Sequence, residues 1–62
     1  MKVFVTGKLQ RRSGTKEYFD KVLPVPYRKL TEECIKYVKA VVNTEEDFPV
    51  SINIFQILKL EE

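Results

Sequence analysis

Val50-Ser51-Ile52-Asn53-Ile54-Phe55-Gln56-Ile57-Leu58-Lys59-Leu60 is the stretch whose reading decides the fold. It carries no charge from Val50 to Leu58 and is rich in β-branched residues, which extended chain favours. As a strand, one face presents Val50, Ile52, Ile54, Leu58 and Leu60, and the other Phe55 and Ile57 among Ser51, Asn53 and Lys59. Ile52, Phe55 and Leu58 also recur at helical spacing, but the isoleucines weigh for a strand over 50–60. Both faces are then apolar, and a chain of 62 residues has material to cover only one.

That covering material lies just upstream. Thr31 is a good N-cap, Glu32 and Glu33 suit the positive end of a helix dipole, and Leu30 and Ile35 occupy the positions of a hydrophobic staple. Cys34, Ile35, Val38, Val41 and Val42 form one apolar stripe, with Tyr37 at its margin. Asn43 and the polar run Thr44-Glu45-Glu46-Asp47 are expected to end the helix, and Pro49 opens the final strand.

Residues 2–11 and 16–25 read as two strands of a hairpin, with Ser13-Gly14 supplying the turn. Val3, Val5, Gly7 and Leu9 alternate with polar residues in the first, and Phe19, Leu23 and Val25 share a face in the second. Gly7, inside a strand, marks a bulge or the close approach of the helix. Pro24 and Pro26 remove two donors from one edge, so the second strand belongs at the border of the sheet. The last strand must then pair with the first. The expected fold is α+β: β-β-α-β, a three-stranded antiparallel sheet of order 2-1-3 with one helix on one face, in a single domain over residues 1–62.

Composition excludes several classes of function. There is no histidine and one cysteine, so neither a disulfide nor a tetrahedral zinc site is available from this chain alone. Cys34 lies near a helix N-terminus but on the apolar stripe, and burial as a small hydrophobe is expected. Glu32-Glu33 and Glu45-Glu46 read as a helix start and a solvated loop, not as acid–base pairs. The two glycines are too far apart to cradle phosphate. No catalytic, cofactor-binding or metal-binding residue is expected, nor a small-molecule substrate. No apolar run approaches the ~20 residues that cross a bilayer, and the N-terminal stretch lacks the apolar segment of a secretion signal. A cytoplasmic protein without a membrane partner is expected.

Charge is unevenly placed. Residues 1–30 hold eight bases against Glu17 and Asp20, a balance of +6, and residues 31–62 hold three lysines against seven acids, a balance of −4. The expected function is that of a small non-enzymatic interaction module for an unknown protein partner, homodimeric through the edge of strand 50–60 or through the open sheet face. Its expected interface residues are Phe4, Tyr18, Val22, Ile52, Ile54, Phe55 and Ile57. Lys59 and the terminal Glu61 and Glu62 are the only charges placed to guard that edge. The less favoured alternative is a nucleic-acid binder using the basic hairpin 8–16 through Lys8, Arg11, Arg12 and Lys16, with Phe4 and Tyr18 further down the ribbon where aromatics of an open sheet stack unpaired bases. The acidic second half would oppose it wherever it came close to phosphate.

The order of elements is similar to that of small phage and mobile-element proteins that bind and block host enzymes. That likeness of architecture, which no shared motif accompanies, implies a protein partner. Mimicry of DNA by such proteins needs an acidic face, for which Glu45, Glu46 and Asp47 offer only a small spot.

Overall fold

Alternation and capping give four elements: β1 (Lys2–Gln10), β2 (Lys16–Pro24), α1 (Glu32–Glu45) and β3 (Ser51–Leu60). The structure is a computed structural model that describes residues 1–60. Glu61 and Glu62, expected to guard the β3 edge, lie outside the described residues. The sheet order is β2-β1-β3, with β1 antiparallel to both neighbours. The expected β-β-α-β sheet of order 2-1-3 is therefore present.

The hairpin closes through Arg12-Ser13-Gly14. The Gly14 N–H donates to the Arg11 carbonyl at 2.9 Å, and the Arg11 N–H donates to the Thr15 carbonyl at 2.8 Å. Gly14 has φ +89°, the left-handed position that a three-residue hairpin loop of this kind requires.

Helix α1 starts at Thr31, whose hydroxyl accepts from the Cys34 N–H at 3.3 Å. It runs past Asn43, which the sequence suggested as part of its end. Its termination is a Schellman motif: the Asp47 N–H donates to Thr44 O at 3.2 Å and the Phe48 N–H donates to Asn43 O at 2.8 Å. Asp47, with φ 61°, holds the left-handed position usually given to glycine.

The core lies between α1 and one sheet face. Cys34, Val38 and Val42 follow one another at four-residue spacing along α1 and are buried against Val3, Val5, Leu23 and Val25. Phe19, Val41, Ile52, Ile54 and Ile57 pack around this centre, half-buried. Gly7 is buried too. The nearest atoms come from the neighbouring strands and not, as the sequence suggested, from the helix: the Phe19 ring takes its space, and a Cβ there would stand 2.8 Å from Phe19 Cζ.

One expectation about β3 needs correcting. The strand does not alternate regularly, because the pairing with β1 shifts between Thr6 and Gly7. Thr6 faces Gln56 and Gly7 faces Ile54, so Phe55 is the extra residue of a β-bulge. Residues C-terminal to the bulge change sides: Ile57 lies opposite Val5 in the covered layer, and Leu58 lies opposite Phe4 on the uncovered one. The physical reason is Gln56. In unbroken register it would stand opposite Val5, which is fully buried, and its amide would lose its partners.

Candidate interaction surfaces

The register sorts the seven expected interface residues into two surfaces. Opposite residues on paired antiparallel strands share a face. Phe4, Tyr18 and Val22 therefore lie on the face away from α1, as does Phe55, turned there by the bulge. Ile52, Ile54 and Ile57 lie on the helix side, beside the free edge of the sheet.

The uncovered face is unevenly composed. Toward the β2 C-terminus, Val22, Phe4 and Leu58 stand in one row across the three strands, an apolar cluster. Toward the hairpin, Tyr18 and Phe55 approach with ring centroids 6.3 Å apart, and the Lys8 ammonium stands 5.9 Å from the Tyr18 ring centre. Tyr18, Val22, Phe55 and Leu58 remain 76%, 55%, 54% and 44% exposed. Leu58 was assigned to the opposite face by strict alternation. Gln56 was the signal that could have moved it, as the one polar residue within that otherwise apolar set.

The second surface follows the edge strand. Leu30, Ile35 and Lys39 form one wall of a groove whose other wall is Ile54, Phe55, Gln56 and Ile57 of β3. The groove continues past Lys39 toward Ala40, Val50 and Ile52. β3 pairs only with β1, so its other backbone edge is open. The bulge at Phe55 interrupts that edge near its middle and blunts it as a pairing template.

The four hairpin cations are not equivalent. Arg11 is committed within the chain: Nε lies 2.7 Å from Glu17 Oε2, Nη2 lies 3.3 Å from Glu46 Oε2, and Nη1 donates to the Glu46 carbonyl. The hydrogen bond to Glu17 raises the Arg11 pKa; burial opposes it, and the charges of Glu17, Glu46 and Asp47 add further support. Arg12 is exposed at the turn, and Lys8 and Lys16 share the uncovered face.

Lys21, on the covered face, reaches the same helix end. Its Nζ lies 2.8 Å from Glu46 Oε1 and 3.4 Å from Glu45 Oε2. The hydrogen bond to Glu46 holds the Lys21 pKa above the usual lysine range, although partial burial works against it. Glu45 and Glu46 are thus not members of a solvated loop, as the sequence suggested. Glu45 ends the helix and Glu46 caps it, where carboxylates are disfavoured by the dipole, and two cations from the hairpin offset them. This clamp was missed in the sequence because its members are distant along the chain.

The chain matches no family model, no curated protein and no solved structure.

Proposed function

We propose that the chain is a small non-enzymatic interaction module whose working surface is the uncovered face of its sheet, with self-association along the free β3 edge. The observation that carries this reading is the exposure of Tyr18, Val22, Phe55 and Leu58 together on one face. Contiguous apolar surface beyond a few hundred Å2 is rare on a monomer and marks partner sites.

Self-association has a separate support. Two copies joined about a two-fold axis at β3 would bring their isoleucine grooves together and remove Leu30, Ile35, Ile54 and Ile57 further from water. The bulge restricts such pairing to one part of the strand, Ser51–Ile54 or Gln56–Leu60.

A non-enzymatic role is supported by chemistry. The chain has no histidine and its one thiol is fully buried, which leaves no ordinary neutral-pH proton-transfer group or exposed thiol nucleophile. A reduced thiol inside the core accords with a cytoplasmic setting. Among the described residues no helix is long and apolar enough to cross a membrane.

Light scattering across micromolar concentrations tests the self-association. A two-chain mass is expected, with β3 amide exchange slowing as concentration rises. A one-chain mass with concentration-independent exchange would overturn the edge contact.

A further inference from the structure

We propose that the uncovered face is a stacking platform for single-stranded nucleic acid, an inference that rests on that face being the working surface. The charge distribution selects this occupant. Lys2, Lys8 and Lys16 all lie on the uncovered face, with Asp20 the only acid among the described residues that shares it. The opposing acids are elsewhere: Glu32, Glu33 and Glu45 belong to the helix layer, and Glu46 caps it. Glu17 is bound to Arg11, and Glu45 and Glu46 are bound to Lys21. These acids of the helix and its cap, which would repel phosphate, therefore sit behind the sheet.

The side chains on the face suit unpaired bases. Tyr18 and Phe55 give two exposed aromatic rings on adjacent ground, and the half-buried Phe4 lies beside Val22 and Leu58. An open antiparallel sheet bearing aromatics stacks splayed bases through their faces, which a duplex keeps hidden. Thr6, Asn53 and Gln56 lie on the same face and bring donors and acceptors to base edges. Lys8, standing over Tyr18, is placed to meet the phosphate of a base stacked on that ring.

A second copy fits this face less well. Two such faces brought together would oppose three lysines to three lysines, with one aspartate on each side to offset them. The proposal also moves the binding site from the hairpin tip to the sheet. Arg11 is occupied by its carboxylates, so the expected set of four hairpin cations contributes through Lys8 and Lys16.

The test is fluorescence anisotropy with a labelled oligothymidylate, alone and annealed to its complement, over a salt series. The single strand should bind more tightly than the duplex. Tyr18→Ala and Phe55→Ala should each weaken binding by roughly five- to hundred-fold, and Tyr18→Phe should change little. Lys8→Gln and Lys16→Gln should each lower the salt slope by about 0.7. All these side chains are exposed or half-exposed, and far-ultraviolet circular dichroism verifies that each variant is folded.

Three results would overturn the proposal: no binding at low salt, affinity unmoved by Tyr18→Ala and Phe55→Ala, or preference for duplex. A two-chain mass that Val22→Lys, on the uncovered face and away from the β3 edge, reduces to one chain would overturn it too, by showing protein on this face. Failure to bind oligonucleotide while the edge-joined dimer persists removes only the nucleic acid. Failure of both removes the module reading with it.

Discussion

Replacing Gly7 by alanine should destabilise the fold, although alanine is ordinarily the better residue inside regular structure. A Cβ at this position would overlap the Asn53 carbonyl oxygen and stand 2.8 and 3.0 Å from Phe19 Cζ and Cε1. Overpacking of this kind costs about 1–3 kcal/mol. Alanine returns about 0.4–1 kcal/mol by restricting the unfolded chain. The net loss should be about 1–2 kcal/mol, against a total of about 3–9 kcal/mol for a chain of this length. In a domain this small each kcal/mol moves Tm by about 4–8 °C. Thermal and urea unfolding followed by circular dichroism would measure it, with the urea slope unchanged. The two obstacles can also be separated. Phe19→Leu combined with Gly7→Ala removes the ring contacts but leaves the Asn53 carbonyl, which belongs to a paired strand and cannot swing aside. In the Phe19→Leu background, Gly7→Ala should therefore still cost more than half of what it costs in the parent. A Gly7→Ala protein as stable as the parent would refute the close approach of β3 and Phe19 at this point.

Removing Phe55 should leave the protein folded, because Ile54 and Gln56 would then face Gly7 and Thr6 in unbroken register. Without its bulge the edge straightens, so light scattering should report greater association than in the parent; a collapsed or unfolded product would refute the assignment of Phe55 as the extra residue. The raised Lys21 pKa adds stability that is complete below the ordinary lysine value of about 10.4 and is lost as pH rises through the higher folded value. Urea midpoints should fall in that alkaline window, and Lys21→Met should flatten the fall; an equally steep fall in the variant would contradict the clamp. Asp47→Gly should raise stability by about 1 kcal/mol by relieving a left-handed residue at φ 61°, and a loss of stability in the same unfolding assay would show that the Asp47 side chain matters more than its backbone. Val38→Ala, at a fully buried position, should cost about 2 kcal/mol, and a negligible cost would contradict its place at the centre of the core.

Most of the architecture is legible in the order and period of the residues. The Thr31 cap, the Cys34–Val42 stripe and the alternation of Val3, Val5 and Leu9 each specify one element locally. Pro24 and Pro26 specify which strand lies at the border. The bulge was half legible. Gly7 signalled an irregularity, but its location on β3 follows from Gln56, a polar side chain that the buried row opposite Val5 cannot accept. The clamp of Arg11 and Lys21 on the helix end was not legible, since charge pairing across long sequence separation needs the register first. For the same reason the hairpin cations looked like one group, when folding commits Arg11 to carboxylates and leaves Lys8 and Lys16 beside the aromatics.

The bulge ties these features to the proposed role. For a chain on its own, keeping Gln56 out of the core has a consequence on the other side of the sheet. It sends Leu58 and Phe55 outward, where they remain 44% and 54% exposed. Full burial of such side chains is worth about 1.5–3 kcal/mol each, so a lone molecule forgoes part of that stabilisation at both positions. The same bulge weakens β3 as an edge for pairing. A module that binds through its face gains from both effects: the aromatic and leucine side chains stand where a partner can cover them, and the open edge is less prone to indiscriminate joining. In the proposed role the lysines select that partner, because apolar and cationic surface together favours a flexible polyanion carrying flat rings over a second copy of the same face.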